Sequence, residues 1–210
     1  MVMSRKRFSA AGLVLAACLV PAACATLEQI AGSLLSLRRL EFRLGAVRDF
    51  ALVGVRLEGK AALTDFSAFD AVALAQGFRS RKLPAEFVLD VLVRNPNTGT
   101  GGSTKTVSTL TSLESRLLID GKTTVTGNID RPMEIPGTGE AAAIPIRMTV
   151  DLYEFFGQKS YEDIIGLALA IGGRGGSPSR LTLDAQPRVT TPLGEIAYPG
   201  RLTIIDKEFR

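Results

Sequence analysis

Between Leu83 and Gly99 the chain reads L-P-A-E-F-V-L-D-V-L-V-R-N-P-N-T-G. Phe87, Leu89, Val91 and Val93 fall on one side of an extended chain, and Glu86, Asp90 and Arg94 on the other. That is the period of a half-buried strand. Asn95-Pro96-Asn97 stops it, because Pro96 has no N–H for a ladder and Asn bonds its own backbone in turns. The same alternation predicts further strands. Phe42, Leu44 and Ala46 mark one, and Ala51, Val53, Val55 and Leu57 a second. Leu113, Ser115, Leu117 and Ile119 lead to a hairpin signal at Asp120-Gly121, with Val125, Gly127 and Ile129 returning. Ile144, Ile146, Met148, Val150 and Leu152 alternate strictly, as do Leu181, Leu183, Ala185, Pro187 and Val189. After the Pro192-Leu193-Gly194 turn, Leu202 to Ile205 closes the chain.

Two stretches break this period. Ser67 to Phe78 has helical spacing at Phe69, Val72, Ala73 and Gln76, with a cap at Asp65 or Ser67. Tyr153 to Ile171 is helical as well, with a capping-box start at Ser160 and Asp163 and a stop at Gly172-Gly173. About eight strands with one apolar and one polar face predict an all-β, antiparallel β-sandwich with two short helical insertions. No internal repeat and no second domain is visible.

Composition narrows the chemistry. The 210 residues include no His and no Trp, and the formal charge is +4. Without His, the commonest general base and the commonest zinc ligand are both missing. Arg5, Lys6 and Arg7 belong to a leader, so the mature chain carries only about +1, too little to attract nucleic acid by charge. In that leader the basic triplet precedes an apolar run from Phe8 to Val20, too short to span a bilayer, and then small residues before a Cys. Residues 1–23 therefore read as a signal peptide. Both cysteines, Cys18 and Cys24, follow Ala-Ala and resemble the lipobox of bacterial lipoproteins, in which the Cys becomes the acylated first residue. Cys24 is preferred, because cleavage at Cys18 would leave Cys24 as a free thiol in an oxidising compartment. Cys18 is the alternative. Residues 24–39 would then form a tether or short helix, and residues 40–210 the folded domain.

The ordered motifs resemble a known family. F-V-L-D-V-L-V-R-N-P-N is similar to the signature of the group 2 late-embryogenesis-abundant domain, the water stress and hypersensitive response (WHy) family. Ser115 to Gly121 resembles its strand before an Asp-Gly turn. Ile135-Pro136-Gly137 with the Ile144–Leu152 strand resembles another of its elements, and Thr191-Pro192-Leu193-Gly194 with Tyr198-Pro199 its closing hairpin. The resemblance covers residues 40 to 207. It implies an immunoglobulin-like or fibronectin III-like sandwich, no enzymatic activity, no cofactor, a structural turn at Asn95, Pro96 and Asn97, and a stress-protective, membrane-proximal role. Helix 160–171 is less typical of the plant domains.

Catalytic and metal-binding alternatives are weak. Gly99 to Thr106 has the composition of a phosphate loop, but Thr104 stands where a Gly must precede the Lys. Asp90, Glu114, Asp151 and Asp184 are spread along strand faces without metal-ligand spacing. Glu162 and Asp163 suit a helix N-terminus without any catalytic role. No catalytic or metal-ligating residue is assigned.

The apolar helix has two readings. In one it plugs an open end of the sandwich. In the other, Phe155, Phe156, Ile164, Ile165, Leu167 and Leu169 flank an apolar groove for an acyl chain or a partner's apolar segment, with glycines at 166, 172, 173, 175 and 176 letting a lid move. The first expectation is a lipid-anchored, non-enzymatic envelope protein that protects or binds. The alternative is an envelope carrier or assembly factor for lipid or a hydrophobic protein partner. Ala25 (or Leu19), rather than Asp, after the acylated Cys matches outer-membrane sorting, facing the periplasm, if the source is a diderm bacterium.

Overall fold

A computed structural model describes residue 35 and residues 37–100, 105–191, 194–206 and 209. Ten strands are described: β1 (Glu41–Leu52), β2 (Val55–Arg56), β3 (Pro84–Arg94), β4 (Ser108–Ile119), β5 (Lys122–Gly127), β6 (Met133–Ile135), β7 (Ala141–Asp151), β8 (Leu181–Thr191), β9 (Gly194–Ala197) and β10 (Leu202–Ile204). Three helices interrupt them: α1 (Ala68–Arg79), α2 (Leu152–Phe156) and α3 (Tyr161–Gly172). The strands form a four-stranded sheet in the order β2-β1-β3-β7 and a six-stranded sheet in the order β10-β8-β4-β5, with β6 on β4 and β9 on β8. Every pairing among them is antiparallel. The all-β expectation holds, with three helices rather than two because Gly157–Lys159 separates α2 from the Ser160 cap of α3.

One core cluster draws on both sheets. The alternating sets of β3, β4, β7 and β8 enter it with their phase intact: Phe87, Leu89, Val91 and Val93 from β3 meet Leu113 and Leu117 from β4, Ile146 and Met148 from β7, and Leu183 from β8. Burying such side chains contributes roughly 1.5–3 kcal/mol each, so this shared cluster dominates the stability. Asp120 and Gly121 both take positive φ (49° and 77°), and the two-residue turn fixes the β4–β5 register.

The first strand differs from expectation. The two strands predicted across Phe42 to Leu57 are one long β1 and a short β2, joined through Val53 and Gly54 at φ 53° and 76°. Two register shifts against β3, at Leu44/Val47 and Arg48/Ala51, each add one residue to β1. A bulge reverses which side chains face inward. Phe42 and Leu44 are buried, Ala46 is exposed, and Phe50 and Leu52 are buried again. Of the predicted tether, only Leu35, Leu37, Arg38 and Arg39 fall among the described residues, and Leu37 is packed into the core.

α1 begins where its sequence says. The Ser67 hydroxyl accepts from Asp70 N, and the Asp70 carboxylate accepts from Ser67 N, a reciprocal capping box. The stripe expected from spacing faces the other way, however. Leu74 and Gly77 pack inward, while Phe69 and Val72 face out. The Asp70 carboxyl is held below its ordinary pKa by the Ser67 backbone N–H and hydroxyl and then by Lys60, and that of Asp65 by the N–H groups of Ala61 and Ala62. A lowered folded-state pKa adds stability that is present above the unfolded carboxylate value and lost as pH falls through the folded one. Ser67→Ala is therefore expected to cost roughly 1 kcal/mol at neutral pH. Because it removes part of what lowers the Asp70 pKa, it should also flatten the acid limb of the stability curve. Urea unfolding at neutral and acid pH reads both, and a loss that is the same at each pH would contradict the second.

Candidate functional site

The Asn95-Pro96-Asn97 turn is the most completely bonded polar group in the interior. Asn95 follows the last residue of β3, where the proline after it disfavours helical backbone, and its side chain is fully buried. Its amide nitrogen donates to the carbonyl oxygens of Thr106 and Ile135, each at 3.0 Å. Its amide oxygen accepts from Asn97 N at 3.1 Å and from Asn97 Nδ2 at 2.8 Å. Both donors and both acceptor positions of the amide are thereby used. Its backbone carbonyl accepts from Gly139 N, and that of Asn97 from Thr106 N. One residue, through its side chain and its carbonyl, therefore joins the end of β3, the approach to β4, the end of β6 and the turn before β7. Gly137 lets the strands close on it, since a Cβ there would stand 2.6 Å from Thr106 O and nearer still to Asn97 O. The geometry is that of a structural node with no reactive group.

The residues expected to flank a groove lie elsewhere than at a surface. Phe156, Ile164, Ile165, Leu167 and Leu169 are buried in the common core, and Phe155 packs against it with Lys122 lying over the Phe155 and Phe156 rings. α3 contributes seven buried residues and closes on β1. The expected groove is thus corrected to a plug, because every large apolar side chain of the helix already has a core partner. The glycines expected to hinge a lid serve contact instead. A Cβ at Gly172 would overlap the Phe50 side chain, and one at Gly173 would stand 2.6 Å from Lys60 O. Gly166 alone of the helix's glycines faces open space, and Gly175, at φ 70°, turns the chain beyond it.

Outside the core, the sheet faces are polar and internally paired. On the four-stranded sheet, Arg48 clasps Asp90 through two 2.7 Å bonds and Arg94 pairs with Glu41. Asp90, expected on the wet face, is there nearly enclosed. The Arg48 guanidinium has its pKa raised by that hydrogen-bonded carboxylate. On the six-stranded sheet, Arg188 pairs with Glu114, and Arg201 and Arg116 with Asp184. These last residues border an open depression of about 350 Å³ lined by Glu114, Ser115, Arg116, Thr126, Asn128 and Arg201. Three arginines share two carboxylates there, and Arg201 spends its guanidinium on Asp184 and on the carbonyls of Glu114 and Asp184. It offers no nucleophile beside a base.

Among the described residues no three His, Cys, Asp or Glu side chains gather where they could hold a metal ion, and no helix is long and apolar enough to cross a membrane. Cys18, Cys24 and residues 101–104 of the glycine-rich loop lie outside the described residues. Sequence reasoning missed Thr106 and Ile135 as the carbonyl partners of Asn95. No side-chain signal could have revealed them, because the contacts are made by backbone.

Fold and site together define an all-β protein of two antiparallel sheets around one closed core, with polar outer faces and a bonded asparagine node at one end. No family model matches the chain, and no curated protein matches it. Among solved structures, a protein from Archaeoglobus fulgidus known from its crystal structure is similar at 10% identity and a TM-score of 0.34, over 80% of this chain and 94% of that one. A likeness that distant carries no argument about fold detail or activity.

Proposed function

We propose that the protein is a lipid-anchored, non-enzymatic component of a bacterial cell envelope, in which the β-domain works as a protective or binding module. The observation that carries this reading is the leader, where Arg5-Lys6-Arg7, the apolar run Phe8 to Val20 and Ala22-Ala23-Cys24 follow in the order of a lipoprotein signal. Two structural features support it. The core consumes the apolar faces of both sheets, and the outer faces present paired charges and no assembled reactive group. A module of this kind acts through its surface, keeping membranes or client proteins apart as water is lost. The finer architecture belongs to the same proposal: an immunoglobulin-like or fibronectin III-like sandwich of the group 2 late-embryogenesis-abundant type, a likeness that rests on the sequence motifs alone. Placement on the outer membrane, facing the periplasm, follows from Ala25 if the source has two membranes.

A carrier working through α3 has no observation in its favour, because the helix would first have to leave a core in which seven of its residues are buried. The experiment that tests the anchored reading is the intact mass of the mature protein from its native membrane. The expected mass is that of Cys24–Arg210 plus acyl groups, and a mass without acyl groups would overturn the anchor. Survival of a deletion strain tests the protective role. Unchanged tolerance of drying, osmotic shock and detergent would refute it.

A further inference from the structure

The two most exposed large apolar side chains among the described residues lie on α1, Phe69 at 89% and Val72 at 65%, with Leu63 exposed shortly before it; Val107 and Leu35 are exposed elsewhere. Along the helix, Phe69, Val72, Gln76 and Arg79 form one outward stripe, opposite the inward Leu74 and Gly77. The stripe is apolar at its start and basic at its end. Just beyond it, Arg81 holds φ 58° in a helix-ending turn in which Lys82 N donates to Gly77 O and Arg81 N to Phe78 O. Glycine is the unstrained residue at that position, so an arginine there adds surface charge at a conformational cost.

The charge balance of residues 55–82 is positive, with Arg56, Lys60, Arg79, Arg81 and Lys82 against Glu58, Asp65 and Asp70. Arg56, Arg79, Arg81 and Lys82 are exposed, and none takes part in an ion pair among the described residues. The acids of the same segment are already engaged. Asp65 accepts from Ala61 and Ala62 N–H, Asp70 from Ser67 and Lys60, and Glu58 from Asp49 N. What this end of the molecule offers is a projecting Phe and Val beside an excess of cations that form no ion pair among the described residues. That is the composition of a helix lying in the headgroup region of an anionic membrane.

We propose that α1 docks on an anionic bilayer surface, with Phe69 and Val72 entering the boundary between headgroups and acyl chains and Arg56, Arg79, Arg81 and Lys82 lying over lipid phosphates. The proposal takes its bilayer from the lipid-anchored reading above. The covalent geometry permits both contacts on one membrane. α1 packs through Gly77 on Val53, beyond the far end of β1 from Glu41, and the twelve residues of β1 span about 40 Å. The chain from Cys24 to Leu37, which is packed in the core, reaches at most about 45 Å.

The chain contains no Trp, so Phe69→Trp gives a single reporter. The acylated mature protein is reconstituted in vesicles of phosphatidylcholine and phosphatidylglycerol with brominated acyl chains. Val107→Trp, an exposed site beside the Asn95 node at the other end, serves as the control. The expected result is blue-shifted, bromine-quenched emission at 69 and aqueous, unquenched emission at 107. In an Arg81→Gln/Lys82→Gln background, docking should weaken about five-fold per cation removed.

Aqueous emission at 69 in protein that floats with the vesicles would overturn docking and leave the anchor standing. Quenching at 69 in protein without acyl groups would keep docking and remove the anchor. A blue shift without quenching would mean that a protein surface covers Phe69, and equal quenching at both sites would mean no preferred face. Either of these overturns the proposal, as does a failure to float at all.

Discussion

Asn95→Ala is expected to be among the most destabilising single substitutions in the domain, at about 3–5 kcal/mol. The side chain makes four hydrogen bonds in a fully buried position, and its removal strands the carbonyls of Thr106 and Ile135 and the amide of Asn97. Each buried polar group left unpaired costs roughly 1–3 kcal/mol, and the losses are not fully additive because the groups are neighbours. Asn97→Ala removes one end of a single bond to Asn95 Oδ1 together with the bonds its own amide makes, so a smaller loss is expected. Asn95→Asp should be worse than Ala at neutral pH, since it sets a carboxylate oxygen against two carbonyl oxygens in an enclosed site. Urea unfolding is the measurement, with the midpoint falling and the m-value unchanged. If Asn95→Ala cost less than about 1 kcal/mol, the node would not be holding the loops together.

The turn at Asn95 was legible in the sequence, but its tertiary work was not. Pro96 and the two asparagines announce the end of a strand. Which carbonyls the amide meets depends on where residues 106 and 135 arrive, and nothing local encodes that. Strands β3, β7 and β8 could be read correctly because their side chains keep a period of two and the core takes one phase throughout, and β4 could be read from Leu113 to Ile119, beyond its register shift at Leu110/Ser112. β1 could not be read in the same way. Its two bulges reverse the phase twice, so alternation carried on from Phe42 and Leu44 puts Ala46 inward, and alternation carried back from Val53 and Ala51 puts Phe50 outward.

α1 shows a different limit. Periodicity located the helix and its cap, but a stripe at helical spacing does not say which side the rest of the chain will cover. The structure turns Leu74 and Gly77 inward because Gly77 allows contact with Val53, Leu83 and the Lys82 carbonyl. Asp90 is a third case. Alternation places it on the outer face, and only tertiary structure brings Arg48, 42 residues away, to enclose it there. The exposed Phe69 and Val72 thus arise where a locally correct reading met a tertiary arrangement that the sequence does not state.

Gly172→Ala is expected to lower stability by about 2–3 kcal/mol, the cost of forcing a methyl group into a filled core. The added Cβ would sit 2.6 Å from Phe50 Cδ2 and closer still to the Phe50 Cβ and Cγ. Phe50 cannot swing aside, because its ring lies stacked on Phe87 at 5.1 Å between centroids with 6° between planes. Relief must come from lifting the C-terminal end of α3, which exposes Ile171 and neighbouring core. Gly166→Ala, in the same helix, should do the opposite. A Cβ there meets nothing within 4 Å, and replacing glycine in a helix interior gains up to about 1 kcal/mol. The pair therefore separates a plug from a lid with one method. A seated plug gives opposite signs in urea unfolding, whereas a helix that spends its time lifted would gain at both positions, since alanine favours helix wherever it is not in contact. A stabilised Gly172→Ala variant would return the groove to consideration.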